Sequence, residues 1–398
     1  MAKINNLVDN LKLEGKRVLI RVDFNVPLNN GLVSDASRIE KVLPTINLLI
    51  KRKAKIIIIS HVGRPKGKII PSLTLEPIAK ELGSLLNKNI TFLSETVGLE
   101  VVKKSKSISN GDILFLENLR FYKGEELNSK IFAQDLAKNG DIYVNEAFSC
   151  SHRAHASVSE ITHYISSYAG QQLLQEINTI KMLTDSAKKP VSCIIGGSKI
   201  STKIRVLTNL IKKMNNIIIV GAMANNFIKY KNYNIGKSVY EKNAENLIEE
   251  IIKKSKDSNC KIIVPEDVVV SKDLNSKGKL KKLNEIDRTD LILDIGSKTI
   301  ENIIKIIDDS KTILWNGPAG YFEINEFSVG SDKIAKKIFE NTKNKSLISV
   351  AGGGDTVAAI NKFKCFEGFT YISTAGGAFL ELLEGKILPG IKALETNE

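Results

Sequence analysis

Long apolar runs are missing from this 398-residue chain. The most apolar stretch, Ile56–Ile59, is four residues long, far short of the roughly 20 that a helix needs to span a bilayer. The opening MAKINNLVDNLKLEGK has no apolar segment of the secretory type. Cysteine is scarce too. Cys150, Cys193, Cys260 and Cys365 lie far apart with no CxxC spacing, so no disulfide framework or zinc motif is signalled and a reducing compartment fits. These absences predict a cytoplasmic protein with no membrane partner. Net charge is +14, yet no run of five basic residues occurs and aromatics make up only 6%. A nucleic-acid binder would interleave basic and aromatic residues, so no nucleic-acid partner is expected. Excess lysine then reads as solvated surface plus a local anion site.

Arginine is the most informative scarcity. Nine of the 58 basic residues are arginine, seven of them within the first 153 positions and none in the last 110. Where lysine is the default, an arginine marks a place that needs the planar guanidinium fork, which grips carboxylate or phosphate with two parallel hydrogen bonds. Arg21, Arg38, Arg64, Arg120 and Arg153 sit in turn-rich motifs: RVDFNVP, SDASRIE, SHVGRPKG, ENLRFYKGEE and SHRAHAS. A small, strongly anionic ligand in the N-terminal half is implied. Arg21 closes a buried strand and is expected to be structural, as are Arg17 and Arg52, in the core or at the surface.

Short β-branched runs alternate with amphipathic stretches from end to end. Strands are predicted at Arg17–Val22, Lys55–Ser60, Asp112–Leu116, Asp141–Asn145, Val191–Ile195, Asn216–Val220, Lys261–Val264, Thr312–Trp315, Ser346–Val350 and Thr370–Ile372. Helices are predicted at Ser37–Lys51, Leu75–Asn87, Lys199–Met214 and Ser331–Phe339. Strands without two-residue alternation belong in parallel sheets covered by helices, so the fold class is α/β, with doubly wound, Rossmann-like parallel sheets. A helical stretch at Tyr168–Thr184, followed by SAKKP and a new strand, divides the chain into two domains. Ligands of such sheets bind outside the carboxyl ends of the strands. Arg64, Arg120 and Arg153 follow predicted strands and point to one crevice, with Asp23, Asn25, His61 and Asn118 as hydrogen-bonding neighbours.

The C-terminal half ends its strands in glycine instead: GGSK from Gly196, Gly221-Ala222, NGPAG from Asn316, GGGDT from Gly352 and TAGG from Thr374. Glycine lets backbone amides approach a ligand, and a helix N-terminus favours phosphate. An exposed Asp355 beside such amides is suited to Mg²⁺ through oxygen; the alternative is that Asp355 and Thr356 cap the helix. Lys199 and Lys203 are expected on one helical face, where two cations could meet a polyphosphate. Neither GxxxxGK[ST] nor GxGxxG after a strand is present. One half for a small anion and one for a phosphate chain suits phosphoryl transfer between two ligands. A different two-domain phosphotransferase remains the alternative.

At these motifs the chain resembles the phosphoglycerate kinase family. RVDFNVP, SHVGRPKG, ENLRFYKGEE, HRAHAS, GGSKISTK, LDIGSKT, LWNGPAGYFE, GGGDT and TAGGAFLELLEGK occur in order between Leu11 and Leu394. The resemblance implies reversible transfer from 1,3-bisphosphoglycerate to MgADP, giving 3-phosphoglycerate and MgATP, by hinge closure in a monomer. It implies a phosphoglycerate domain at 1–169 plus about 380–398, a connecting helix at 170–185 and a nucleotide domain at 186–379. By motif, Asp23, Phe24, Asn25, Arg38, His61, Val62, Gly63, Arg64, Arg120 and Arg153 would bind the phosphoglycerate. Gly197, Lys199, Lys203, Glu323, Gly353, Gly354, Asp355 and Thr356 would bind ADP or ATP, with Asp355 on Mg²⁺. Arg38 and Lys199, with amides at Gly376 and Gly377, would surround the moving phosphoryl group. Glu146, Ala222 and Ala375 depart from the family pattern, which usually has Asp at the first and often glycine at the other two. Ala375 matters most, because its methyl lies beside the expected transfer site and is tolerated only at ordinary negative φ.

Overall fold

The computed structural model describes residues 4–7, 11–29 and 31–395. Among these, residues up to Asn178 and from Ile387 onward form one compact unit, and Thr179–Lys386 forms a second.

The first unit is built on six parallel strands: β1 (Arg17–Arg21), β2 (Lys55–Ile59), β3 (Thr91–Leu93), β4 (Ile113–Leu116), β5 (Ile142–Asn145) and β6 (Ser167–Ala169). They lie in the order β3-β4-β2-β1-β5-β6. Residues of β1, β2, β4 and β5 are almost all buried, because both sheet faces are covered. In register, Arg21 stands level with Ile59 on one side and Asn145 on the other. The loops that follow β2, β1 and β5 therefore leave the sheet side by side.

The second unit repeats the plan with β7 (Val191–Ile195), β8 (Asn216–Ile219), β9 (Lys261–Ile263), β13 (Thr312–Asn316), β14 (Ile348–Gly352) and β15 (Tyr371–Ser373), in the order β9-β8-β7-β13-β14-β15. Trp315 is fully buried in its core. A three-stranded antiparallel sheet of β10 (Asp267–Ser271), β11 (Lys279–Lys282) and β12 (Leu291–Ile295) was not foreseen. Lysine supplies three of the four residues of β11, which hides it from a hydrophobic reading.

Several expected helices are corrected. The stretch Ser37–Lys51 is two helices, Ser37–Glu40 and Leu43–Lys51, and the second opens on Pro44, a residue suited to a first turn. The helix expected from Tyr168 is α1 (Gln171–Asp185), since Tyr168 belongs to β6. The helix expected from Lys199 is α2 (Ile204–Ile211), preceded by a turn. Among the described residues, no helix is long and apolar enough to cross a membrane.

Glu146 shows why the start of α1 has its local form. Its buried carboxylate accepts from the Gln172 and Leu173 amides at 3.1 Å each and from the Thr45 hydroxyl. It therefore satisfies amides that a helix start leaves without partners. Burial pushes its carboxyl up, and these donors oppose that shift. A Cβ on Gly170 would overlap this carboxylate, which its bonds hold in place. Gly170→Ala is therefore expected to destabilise the first unit by about 1–3 kcal/mol. Glu146→Asp, which draws the carboxylate back by one methylene, should recover part of the loss. Denaturant midpoints of the two single variants and the double variant measure that coupling, and strictly additive effects would refute the overlap.

Candidate active site

In the first unit the loop after β1 carries Asp23, the loop after β2 carries His61, and the 3₁₀ turn Phe148–Cys150 follows β5. Parallel order brings these loops to one edge. Arg38 donates through Nη1 to Asp23 Oδ2 at 2.6 Å, and the Ser149 hydroxyl donates to the same oxygen. About a third of the Arg38 side chain stays exposed, so it is held at one end and open to a ligand at the other. Burial opposes the Asp23 carboxylate, but the Arg38 guanidinium and the Ser149 hydroxyl, with His61 adding its charge only once acid protonates it, keep its pKa below the usual range.

Arg21 has no exposed surface. Its Nε donates to Ser157 Oγ at 2.9 Å, Nη1 donates to the Val22 carbonyl, and Nη2 lies 3.1 Å from His61 Nδ1 and 3.9 Å from Glu125 Oε1. Since Arg21 can only donate, His61 Nδ1 is the acceptor and its Nε2 carries the proton. Burial, reinforced by Arg21 and Arg120, pushes His61 well below its ordinary pKa against the pull of Asp23, so the ring is neutral.

The remaining residues expected to meet phosphoglycerate divide into two groups. Asn25, Arg64 and Arg153 are exposed. Asn25 Oδ1 accepts from the Gly63 amide at 3.0 Å, and Arg153 Nε donates to His152 Nε2 at 3.1 Å. Arg120 is nearly buried, and its Nη1 donates to the Gly63 carbonyl at 2.7 Å, fixing the loop that carries Arg64. Phe24 and Val62 turn their side chains into the fold. Phe24 is a core residue against Phe115, its amide donates to Ser60 Oγ and its carbonyl accepts from Val26. Val62 is buried and its carbonyl accepts from Asn118. Neither offers a side chain to a ligand. Glu125, Ser149 and Ser157 escaped the sequence reading, because nothing in their spacing shows that distant loops meet.

In the second unit, the loops after β7, β13 and β14 are laced together by Asn316. Its Nδ2 donates to the Gly352 carbonyl at 2.6 Å, its Oδ1 accepts from Lys203 Nζ at 2.5 Å, and its carbonyl accepts from the Gly196 amide at 2.9 Å. Lys203 Nζ also donates to the Gly196 carbonyl at 2.5 Å. Only glycine suits Gly317 and Gly353, with φ of +115° and +99°; added Cβ atoms would come within 2.6 Å of Gly196 and 2.7 Å of Asn316. Asn316 was legible only as the first letter of NGPAG.

Lys199 and Lys203 do not share a helical face. Lys199 lies in the loop before α2, exposed, whereas Lys203 precedes the helix and turns inward. Burial lowers Lys203 to about 8, with Cys193 and Asp355 opposing, so it is still mostly charged near neutral pH. Thr356 is buried, and its Oγ1 accepts from the Gly317 amide at 2.7 Å, so its side chain ties two loops. Asp355 is exposed in the first turn of α4 (Gly354–Lys362), after α3 (Val329–Lys343). Gly376 and Gly377 open the short helix α5 (Gly377–Leu383). Ala375 is not among the residues of positive φ, so its methyl costs no backbone strain.

A cavity of about 360 Å³ lies at these loops, lined by Gly197, Gly221, Ala222, Val239, Leu291, Pro318, Tyr321, Glu323 and Asp355 among others. Its walls are mostly apolar with a few polar groups, the usual character of a small-molecule site. A flat heterocycle suits the apolar wall, and an exposed carboxylate beside glycine amides suits a phosphate-bound Mg²⁺.

The buried histidines make this edge acid-sensitive. Burial, with Arg21, Arg120 and Arg153, lowers His155 from 6.5 to about 4. A histidine depressed in the folded state contributes stability that is complete above 6.5 and is lost as pH falls toward the folded value. The first unit is therefore expected to lose stability between about pH 6.5 and 4, and His155→Gln should flatten that loss. Urea midpoints across this range check it; equal pH slopes for both proteins would refute it.

Comparison with known proteins gives one answer. The family model for phosphoglycerate kinase matches residues 8–386. The phosphoglycerate kinase of Bartonella bacilliformis is 45% identical over 97% of both chains. That of the Wolbachia of Brugia malayi is 45% identical over 98% of both. The solved phosphoglycerate kinase of Coxiella burnetii superposes with a TM-score of 0.90 at 37% identity, over 98% of this chain and 99% of that one. With sequence and architecture agreeing over nearly its whole length, the chain belongs to the phosphoglycerate kinase family.

Proposed function

We propose that this kinase moves a phosphoryl group reversibly between the acyl phosphate of 1,3-bisphosphoglycerate and MgADP, with the arginine-bearing unit holding the glycerate and the glycine-bearing unit the nucleotide. The observation that carries this division is the contrast between the two sheet edges. One ends in guanidinium groups, neutral His61 and Asn25; the other ends in glycine loops beside an apolar cavity. The reading includes a monomer acting in the cytoplasm.

Arg64 and Arg153 are exposed, as is about a third of the Arg38 side chain, and these three would take the substrate's phosphate and carboxylate. Arg120 would position the Gly63 loop, and His61 would donate through Nε2. In the second unit, the apolar cavity would take the base, Glu323 the ribose hydroxyls, and the amides of Gly353 and Gly354 with Lys203 the phosphates. Asp355 would hold Mg²⁺, which arrives with the nucleotide. Phosphoryl transfer passes through a loose transition state with charge spread over three equatorial oxygens, so positioning and charge stabilisation do most of the catalysis. Arg38, the exposed Lys199 and the amides of Gly376 and Gly377 would supply that charge. No general base is needed, because the acceptor oxygen is already anionic. Hinge closure supplies the remaining step, bringing the two ligands together away from water.

ATP formation from 1,3-bisphosphoglycerate and ADP tests the reading: it should require Mg²⁺, and no ATP in its presence would overturn it. Arg38→Lys keeps the charge but loses the fork, and should lower kcat by about 10²–10³-fold with little change in ADP affinity; turnover like that of the wild type would remove Arg38 from the transfer step. Asp355→Ala should weaken MgADP by about 10–100-fold, the worth of one charge-assisted contact. Calorimetry with unchanged affinity would remove it from the metal.

A further inference from the structure

Three side chains of different chemistry meet at the arginine-bearing edge. Asp23, His61 and Cys150 each bring one ligand atom, and these atoms all lie within 4.8 Å of one another. The register explains the meeting, because the three follow β1, β2 and β5, which are neighbours in the sheet. Their sequence separations are so large that no spacing motif signals them. We propose that Asp23, His61 and Cys150 form a binding site for a borderline transition-metal ion of the Zn²⁺ or Co²⁺ class, and that its occupation inhibits the enzyme.

Donor chemistry favours such an ion. One carboxylate oxygen, one imidazole nitrogen and one thiolate form a mixed set that suits zinc or cobalt and offers Mg²⁺ little. Ligands at about 2.0–2.3 Å around a tetrahedral ion stand roughly 3.4–3.8 Å apart. His61 Nδ1 and Asp23 Oδ1 are already 3.9 Å apart, so closing the set takes side-chain adjustment rather than backbone movement. The cluster already faces a cation: Arg21 Nη2 lies 3.1 Å from His61 Nδ1 and 3.8 Å from Cys150 Sγ. An entering ion would displace that contact, and Glu125, 3.9 Å from the same Nη2, is placed to receive the guanidinium. The thiol gives up its proton to solvent as the sulfur–metal bond forms. His61 and Cys150 are nearly buried, but part of Asp23 reaches the surface, which provides a route of entry. A fourth position is left for water.

Inhibition follows from what Asp23 does without metal. Its Oδ2 anchors Arg38 at 2.6 Å, and an ion taken up on Oδ1, the oxygen that faces His61, neutralises the carboxylate and weakens that anchor. This link to turnover rests on the role proposed for Arg38; metal binding itself does not.

Cobalt added to the chelator-treated full-length protein is the test. The expected result is a near-ultraviolet thiolate-to-cobalt charge-transfer band that saturates at one ion per chain, with His61→Gln binding cobalt more weakly. Cys150→Ser and Cys150→Ala should lose the band while Cys193→Ser keeps it; circular dichroism checks that each variant is folded. No band in the wild type, or an undiminished band in both Cys150 variants, overturns the site. Zn²⁺ in the coupled assay should inhibit Cys150→Ser at least about tenfold less potently than the wild type, an affinity change of the size that altered metal shells produce. Equal inhibition would overturn the link to Arg38 while the absorption result stands by itself.

Discussion

A guanidinium without exposed surface organises the arginine-bearing unit. Bringing the Arg21 cation into the interior costs several kcal/mol unless its donors are met. They are met by groups from widely separated parts of the chain: Ser157, the Val22 carbonyl, His61 and, at longer range, Glu125 and Cys150. Glu125 is anchored in turn by Ser157, whose hydroxyl and amide both donate to it. The network therefore draws the loops after β2, β4 and β5 onto the end of β1. It also fixes which nitrogen of His61 carries the proton. The arginine furthest from solvent thus shapes the site without being available to a ligand.

The second unit solves the same problem without buried ion pairs. Its loops must come close enough for backbone amides to face phosphate, and glycine alone permits that approach. Freedom of that kind would leave the loops poorly defined. Asn316 and Lys203 restore order, the first by holding Gly352 and Gly196, the second by donating to Gly196 and to Asn316 itself. Thr356 adds a tie from the helix start to Gly317. The side chains that make the loops rigid are thus distinct from the amides and the Asp355 carboxylate that a nucleotide would meet.

Parallel topology was legible because it is written in local pattern: isoleucine runs buried on both faces, each followed by a turn and an amphipathic stretch. Once the strands were placed, the carboxyl-end rule carried Arg64, Arg120 and Arg153 to one edge without any knowledge of distances. Local pattern failed where tertiary context overrode it. The lysine-rich β11 is held by pairing with β10 rather than by burial, and α2 starts five residues late because Lys203 turns back to carbonyls in the loop. Phe24 and Thr356 look like site residues in their motifs, yet one packs the core and the other bridges loops. Motif membership locates a neighbourhood; burial decides which members offer a side chain at its surface.

Chemistry that depends on distant residues was invisible for a related reason. Glu125 with Ser157, and Asp23 with His61 and Cys150, meet only because neighbouring strands end in register. At the Asp23 cluster the same physical features serve two ends. A mostly buried carboxylate that positions a guanidinium must lie near cations and good donors, and so it lies near nitrogen and sulfur lone pairs as well. A site built to hold anions with arginine thereby carries, directly beneath, the lone pairs of a cation site, and Arg21 occupies that place in the absence of metal.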